Sequence, residues 1–374
     1  MSGIYLHIPF CKQKCTYCDF HFSTSFQGYR EKMIETMQDE LLLRKDYLTD
    51  KQLNSVYFGG GTPSLLREEE FVILFDAIKK HFTLETETEI TIEANPDDIT
   101  IENLAIWKKM GFNRLSIGLQ SFKEEDLKWM NRAHTVSEAQ NCVELAQKNG
   151  FTNISVDLIY GLPDLKQEEW DDHIETVLKM NVQHVSAYCL TVEEKTVLHH
   201  LVETKKINPV GEDAQSEHFL YLSKRLKEAG FLHYEISNFG LPSFEAVHNS
   251  NYWKGKPYLG IGPSAHSFNG ISRQWSVANN SAYIKNFGIN DDWFEMEILT
   301  PKERWNELIM TGLRTSFGVD LEQLAAISPI TKSFNDKVAL FTTNGWVLTD
   351  SNKLFLSDEG RLKADHIASE LFID

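Results

Sequence analysis

The chain has 374 residues and a formal net charge of −17, from 37 Lys and Arg against 54 Asp and Glu. Hydrophobic residues make up 42% and charged residues 24%, which is typical of a folded globular protein and excludes a largely disordered one. A chain of this length is expected to form two or three domains. The acidic balance argues against non-specific nucleic-acid binding, because that binding depends on Lys and Arg neutralising phosphates.

The N-terminus lacks the features of a secretory signal. It has neither a basic start nor a long apolar stretch with a cleavage site. No run of about 18 uncharged apolar residues occurs along the chain, so we expect no membrane-spanning helix. The sequence therefore predicts a cytoplasmic location, where thiolates stay available as ligands.

Through residues 1–230, short β-branched and aromatic runs alternate with longer amphipathic ones. We predict strands at Ile4–Ile8, Ser55–Phe58, Glu89–Glu93, Arg114–Gly118, Ile154–Ile159 and His184–Leu190. We predict helices between them at residues 28–47, 67–81, 101–110, 123–130, 136–149 and 167–180. This succession of strand–helix units indicates an α/β fold with a parallel sheet, and it is too short for a closed eight-stranded barrel. We interpret it as a partial (β/α)6 barrel, with an open doubly wound sheet as the alternative. In both folds, functional side chains lie at the carboxyl ends of the strands.

After residue 230 the pattern changes. Residues 231–295 are rich in aromatic residues, Asn and Gly and follow no clear period, so we assign them to a connecting segment. Helical patterns then return at 302–315, 320–326 and 334–344, and a hairpin and a last helix follow. Helices followed by a hairpin resemble a winged-helix module, which we place at 296–374. Residues 301–374 carry 8 Lys and Arg against 11 Asp and Glu, so we expect a packing domain rather than a DNA-binding one.

The cysteines divide into a cluster and two separate residues. Cys11, Cys15 and Cys18 are spaced so that thiolates from one loop can converge on one centre, as in ferredoxin-type iron–sulfur sites. A zinc site is the alternative, but zinc prefers four ligands and His21 is the only nearby candidate. Cys142 and Cys189 lie in predicted secondary structure and are interpreted as small buried hydrophobic residues.

The motif Cys-x3-Cys-x-Tyr-Cys after a first strand resembles that of the radical S-adenosylmethionine (SAM) superfamily. The resemblance implies a [4Fe-4S] cluster bound by Cys11, Cys15 and Cys18. It also implies that SAM chelates the fourth iron through its amino and carboxylate groups. One-electron reduction of the sulfonium, which needs a low-potential electron donor, would then give a 5′-deoxyadenosyl radical.

The same resemblance assigns further residues to the SAM pocket. The residues that match positions lining it or receiving the methionine amino group are Tyr5, Tyr17, Gly60, Gly61 and Thr62. The resemblance places Glu93 and Arg132 at the polar methionine end, where an Arg fork suits a carboxylate. It places Gln120 and Asp157 at the ribose hydroxyls. For Asp157, a structural hydrogen bond inside an apolar strand is the alternative, because a buried carboxylate needs a partner.

Longer runs are similar to the coproporphyrinogen-dehydrogenase-like branch of this superfamily. These are Ile8–Cys11, Ile159–Pro163 and Tyr234–Phe239. The branch contains oxygen-independent coproporphyrinogen III dehydrogenases of heme synthesis and heme chaperones that hand heme to acceptor proteins. The dehydrogenases have a further cysteine where this chain has Phe20, and they carry an N-terminal extension, whereas ten residues precede Cys11 here. Both differences favour a heme chaperone, with the dehydrogenase and a radical enzyme for an unrelated substrate as alternatives.

A third motif supports the same interpretation. Residues 248–253 read His-Asn-Ser-Asn-Tyr-Trp and match the His-Asn-x-x-Tyr-Trp motif of the chaperones. An imidazole can ligate heme iron, and aromatic rings can pack against a porphyrin, so the resemblance implies heme contacts for His248 and Tyr252. His266 is a second candidate ligand. The partners implied are heme and heme-accepting proteins of unknown identity.

Overall fold

The structure is a computed structural model, and it describes residues 2–289 and 291–373. The strands are β1 (Ser2–Ile8), β2 (Gln52–Gly60), β3 (Thr83–Ala94), β4 (Arg114–Gln120), β5 (Ile154–Tyr160), β6 (His184–Cys189), β7 (Leu232–His233), β8 (Asn238–Gly240), β9 (Tyr258–Ile261), β10 (His266–Phe268), β11 (Ser272–Ser276), β12 (Phe294–Ile298), β13 (Val319–Asp320), β14 (Val347–Asp350) and β15 (Lys353–Leu356).

The helices are α1 (Arg30–Leu43), α2 (Glu68–His81), α3 (Ile101–Met110), α4 (Glu124–Trp129), α5 (Val136–Lys148), α6 (Gln167–Lys179), α7 (Val197–Glu203), α8 (Glu212–Glu228), α9 (Val247–Trp253), α10 (Asn280–Asn286), α11 (Pro301–Leu313), α12 (Leu321–Ile327), α13 (Lys332–Thr343), α14 (Asp358–Arg361) and α15 (Ala364–Glu370).

Strands β1 to β6 lie side by side in chain order, and each neighbouring pair is parallel. All the strands and helices predicted up to residue 190 are confirmed, although β3 begins at Thr83 rather than at the predicted Glu89, and α1 ends at Leu43 rather than at residue 47. The apolar residues of β1, such as Ile4, Leu6 and Ile8, are fully buried, as expected for strands that are covered on both faces. The α/β fold with a partial barrel is therefore confirmed.

The segment after residue 230 extends this sheet at both edges. Strand β9 pairs in parallel with β1, and β10, β11 and β12 continue outward as an antiparallel set. On the other side, β8 pairs antiparallel with β6 and β7 follows it. Within the described residues the sheet ends at β12 and at β7, so the barrel is open. The domain division at residues 230 and 295 stays a prediction.

The C-terminal part has its own hydrophobic core. Trp305, Ile309, Val347 and Leu354 belong to a cluster that is separate from the core of the main sheet. Strands β13, β15 and β14 form a small antiparallel sheet beside helices α11 to α13, which gives the predicted helices followed by a hairpin. The predicted last helix is divided into α14 and α15, because the backbone at Lys363 is not helical.

Across residues 2–289 and 291–373, no helix combines the length and apolar character needed to cross a membrane.

Candidate functional site

The cysteine loop, residues 10–23, follows the carboxyl end of β1 and is attached to the barrel at several points. The N–H of Cys11 donates to the carbonyl of Ser23 at 3.1 Å, and the N–H of Ser23 donates to the carbonyl of Pro9 at 2.9 Å. In the middle of the loop, the N–H of Thr16 donates to the carbonyl of Met130 at 3.1 Å. These bonds hold the loop over the mouth of the barrel, with its thiols only partly buried.

Two sulfurs of this loop accept hydrogen bonds from other loops. The hydroxyl of Thr62 donates to Sγ of Cys11 at 3.4 Å, and Nη1 of Arg132 donates to Sγ of Cys15 at 3.4 Å. Burial raises the pKa of Cys11 to about 12 and that of Cys18 to about 11, so metal binding has to displace protons from these thiols. Donors directed at the sulfurs stabilise thiolate charge, and the loop chemistry fits a thiolate-held cluster.

The three cysteines do not form a ready site for one metal ion. No set of three His, Cys, Asp or Glu side chains among the described residues is arranged around a single ion. In a cubane each thiolate binds a different iron, so its ligands need not surround one point. The assignment of Cys11, Cys15 and Cys18 as cluster ligands stays a prediction.

Arg132 links the cysteine loop to the barrel strands. Its Nη2 donates to Oδ1 of Asn95 at 2.6 Å and to the carbonyl of Gly118 at 2.9 Å, and its Nη1 lies 3.5 Å from the hydroxyl of Tyr17. Its Nε is buried and has no hydrogen-bond partner in the part of the chain that the structure describes. The guanidinium is therefore fixed beside the thiols with one donor still available for an anionic group.

Glu93 lies near the end of β3 and faces the glycine loop, residues 59–64, at the end of β2. Its carboxylate accepts from the hydroxyl of Tyr57 at 2.8 Å and from the N–H of Gly60 at 3.1 Å. Burial raises the pKa of Glu93 to about 7, and the nearby carboxylate of Asp157 acts in the same direction. A cationic amino group at this position would favour the ionised form.

Glycine is required in this loop for two different reasons. Gly60 has a φ of 103°, and a Cβ at this residue would lie 2.7 Å from the ring of His7. Gly61 has ordinary backbone angles, but a Cβ there would lie 2.7 Å from the carbonyl oxygen of Phe10. The loop packs closely under the cysteine loop, and its Thr62 hydroxyl thereby reaches Cys11.

The two residues predicted to contact ribose lie on neighbouring strands. Gln120 ends β4 with a φ of 69°, which turns the chain sharply at the strand end. Asp157 lies inside β5 opposite Gly118 and accepts from the hydroxyl of Ser116 at 3.4 Å. Burial raises the pKa of Asp157 to about 6. The structure thus places most of the predicted SAM residues at or beyond the carboxyl ends of the strands, with Tyr5 and Asp157 in the middle of β1 and β5, while their individual roles stay predictions.

The predicted heme residues lie on α9, and His248 is buried inside the barrel. Its Nδ1 lies 2.9 Å from the hydroxyl of Ser55, and its Nε2 lies 2.7 Å from the hydroxyl of Tyr252, one helical turn away. The ring stacks on Tyr57 with centroids 5.1 Å apart, and burial lowers the pKa of His248 to about 3. Both ring nitrogens are therefore engaged, and iron ligation by His248 would require one of these bonds to break. Its heme role stays a prediction.

A cavity of about 1040 Å³ lies between the cysteine loop, the segment after residue 230 and the C-terminal domain. This volume is at the upper end of the range for small-molecule sites, about 300–1,000 Å³. Aromatic lining residues are Tyr5, Phe20, Tyr188, Tyr252, Trp253, Tyr258 and Phe268, and cationic ones are Lys254, Arg273 and Arg304. Anionic lining residues are Asp19, Glu235 and Glu307. The cavity can therefore hold a flat, largely apolar molecule, and its cationic side chains can pair with negative groups on that molecule.

Comparisons with known proteins agree with this site. The model of the Radical SAM superfamily matches residues 5–177, and that of the HemN C-terminal domain matches residues 299–362. The chain is 32% identical over 373 residues to "Heme chaperone HemW" of Mycobacterium tuberculosis, covering 99% of this chain and 94% of that relative. It is 30% identical over 375 residues to "Heme chaperone HemW" of Bacillus subtilis, covering 98% of both. The chain belongs to the HemW family.

A solved structure gives the same architecture. The radical SAM enzyme coproporphyrinogen III oxidase (HemN) from Escherichia coli matches with a TM-score of 0.85, over 99% of this chain and 89% of that chain. The two sequences are 20% identical, so this likeness concerns the fold alone.

Sequence reasoning missed several side chains that organise the site in this HemW family member. Asn95 holds Arg132, Tyr57 holds Glu93, and Glu89 accepts the N–H groups that begin α9, including that of His248 at 3.0 Å. Arg114, which lies 3.9 Å from Glu89, is also buried. A charged residue at the start of an otherwise apolar strand is a signal that could have identified Arg114.

Proposed function

We propose that the protein is a heme chaperone that holds a [4Fe-4S] cluster and SAM at the barrel mouth, binds heme beside them and transfers it to acceptor proteins. The observation that carries this proposal is the cavity that extends from the cysteine loop to the C-terminal domain in a member of the HemW family. Phe20, which is 68% exposed, lies on its wall where the dehydrogenases have a further cysteine.

For the cluster and SAM, the chain provides thiolate ligands and polar groups at the strand ends. When bound, the cluster and SAM would supply one-electron chemistry at the barrel mouth. Thr62 and Arg132 stabilise charge on the sulfurs of Cys11 and Cys15, as their hydrogen bonds indicate. Glu93 is placed to receive a cationic amino group and the free Nε of Arg132 an anionic one.

For heme, the cavity provides apolar surface and individual cationic side chains, beside acidic ones. Tyr252 and Trp253 of α9 line one wall, and Arg273 and Arg304 line the wall formed by β11 and the C-terminal domain. Aromatic rings pack against a porphyrin face and guanidinium groups pair with propionates. Heme would therefore lie next to the cysteine loop, where a change at the cluster can alter the contacts between heme and the protein.

The test is heme binding compared with decarboxylation. Anaerobically reconstituted protein is titrated with hemin, and the same preparation is incubated with coproporphyrinogen III, SAM and a low-potential reductant. We expect a saturable Soret band at one heme per chain and no protoporphyrinogen. Formation of protoporphyrinogen would instead identify the protein as a coproporphyrinogen III dehydrogenase. A protein that binds no heme and forms no product would contradict both functions.

A further inference from the structure

Among the described residues, the histidines that line the cavity are His7, His21 and His266, and they differ in the freedom of their ring nitrogens. His7 has both engaged, at 3.1 Å from the hydroxyl of Tyr5 and 2.8 Å from the carbonyl of His21. His21 has Nε2 engaged at 2.7 Å from Asn280. The ring of His266 makes no hydrogen bond to any described residue, so either nitrogen is available to a ligand.

From this difference, and resting on the proposed function, we infer that His266 ligates the heme iron, that Arg273 binds a heme propionate, and that His248 only positions Tyr252.

The position of His266 suits this role because the residue lines the cavity and its ring is held by stacking, without a hydrogen bond to another described residue. The residue begins β10 and lies opposite Trp275 of β11 in the antiparallel pair. The two rings stack with centroids 5.9 Å apart and planes at 23°. Stacking restricts the orientation of the imidazole without using a nitrogen atom. A neutral imidazole held this way is the usual axial ligand of heme iron.

The turn that leads into His266 is fixed by a buried ion pair. Glu40 accepts from the N–H of Gly262 at 2.8 Å, and Arg44 donates to the carbonyl of Gly260 at 2.8 Å. Glu40 and Arg44 are themselves paired at 2.8 Å. A Cβ at Gly262 would lie 2.6 Å from the carbonyl oxygen of His7, so the turn packs directly against β1. Because this turn is held in place, His266 meets the requirement that a metal-binding side chain be preorganised.

Arg273 lies on the same hairpin, at a suitable place for a propionate. It is opposite Phe268, which is two residues from His266 and therefore on the same face of β10. Its guanidinium lies over the Phe268 ring at 5.4 Å and pairs with Glu307 at 2.9 Å. Its side chain is 33% exposed, so a propionate can reach the guanidinium beside Glu307. The hairpin thus presents a free imidazole, an apolar ring and a guanidinium to one cavity.

His248 differs from His266 in its exposure and in its position relative to the cavity. It is 2% exposed and does not line the cavity, whereas Tyr252, to which it is hydrogen-bonded, does. The helix motif therefore contributes a cavity wall through Tyr252, with His248 behind it as a positioning residue.

The first experiment separates the two histidines. Cluster-reconstituted wild type, His266→Ala, His248→Gln and the exposed control His200→Ala are titrated with hemin, and the Soret band and the ferric heme EPR signal are recorded. We expect His266→Ala to change the EPR signal and to weaken binding by more than the roughly 10–100-fold cost of losing an outer-shell partner. We expect His248→Gln to keep the wild-type EPR signal.

A second arm tests Arg273. Arg273→Gln should weaken hemin binding about tenfold but leave binding of hemin dimethyl ester, which lacks free carboxylates, unchanged. A wild-type spectrum in His266→Ala would overturn the inference and leave the proposed function standing, and a changed one in His248→Gln would show that His248 is the ligand instead. Wild type without any Soret band would overturn both.

Discussion

The cysteine loop and helix α9 are both identified by short motifs, yet the fold treats them in opposite ways. The loop keeps its thiols partly exposed at the barrel mouth, and Thr62 and Arg132 approach them from neighbouring loops. Helix α9 turns His248 inward, where Ser55 and Tyr252 engage both ring nitrogens. A motif therefore shows which residues matter, and only the packing around it shows which atoms are free to bind a ligand.

The largest effect is expected in the loop. Cys15→Ala should abolish the iron–sulfur cluster, because a thiolate ligand is lost and no other cysteine lies in the loop at that spacing. Cys189→Ala, which changes a partly buried thiol outside the loop, should keep it. Iron and sulfide content and the EPR signal of the reduced protein measure the difference. A full cluster in Cys15→Ala would show that the motif had been misassigned.

The next effect concerns α9 and the stability of the fold. His248→Ala leaves a cavity and removes the hydrogen-bond partner of the Ser55 and Tyr252 hydroxyls, so we expect the free energy of unfolding to fall by about 2–4 kcal/mol. His200→Ala, on the exposed side of α7, should change it by less than about 0.5 kcal/mol. Denaturant unfolding of the two variants measures this. Equal stability would mean that the buried position of His248 has no structural role.

Glu93, on β3 below the cysteine loop, and His248 of α9 should respond to pH in opposite directions. Burial raises the pKa of Glu93 from 4.5 to about 7, so the folded state binds its proton more tightly than the unfolded state. Its contribution to stability is therefore present below pH 4.5 and is lost as the pH rises to about 7. Burial lowers the pKa of His248 from 6.5 to about 3, so its contribution is present above pH 6.5 and is lost as the pH falls towards 3.

This contrast is measured as the free energy of unfolding against pH for wild type, Glu93→Gln and His248→Gln. As the pH rises, the free energy of unfolding of the wild type should fall relative to that of Glu93→Gln, by at most about 1.4 kcal/mol per pH unit. As the pH falls, the free energy of unfolding of the wild type should fall relative to that of His248→Gln. Parallel slopes in the two variants would contradict the assigned burial effects.

The smallest effect on stability is expected from removal of the Tyr252 hydroxyl, which links α9 to the cavity. Tyr252→Phe removes one hydrogen bond to the buried ring of His248 and should cost about 1 kcal/mol. Tyr221→Phe, which removes a bond of 2.8 Å to the 37% exposed carboxylate side chain of Asp171, should cost less. Thermal unfolding of both variants gives the comparison. A larger loss in Tyr221→Phe would show that the buried link is weak.

Much of the barrel could be predicted because its signals are local. Strands β1 to β6 and their helices follow from alternating apolar and amphipathic runs, and the spacing of Cys11, Cys15 and Cys18 is a property of a single loop. The edge strands could not be predicted in the same way. Strands such as β10 have only three residues, and β9 pairs with β1, which lies far away in the chain.

The sequence by itself determined the fold class, the cysteine cluster and the glycine loop, because spacing along the chain and backbone conformation carry this information. Only the tertiary structure decided that His248 is enclosed while His266 is free. That distinction depends on β9 pairing with β1 and on Glu40 and Arg44 holding the turn before β10. Contacts between residues far apart in the chain set the burial of each side chain, and burial decides which nitrogen can reach a ligand.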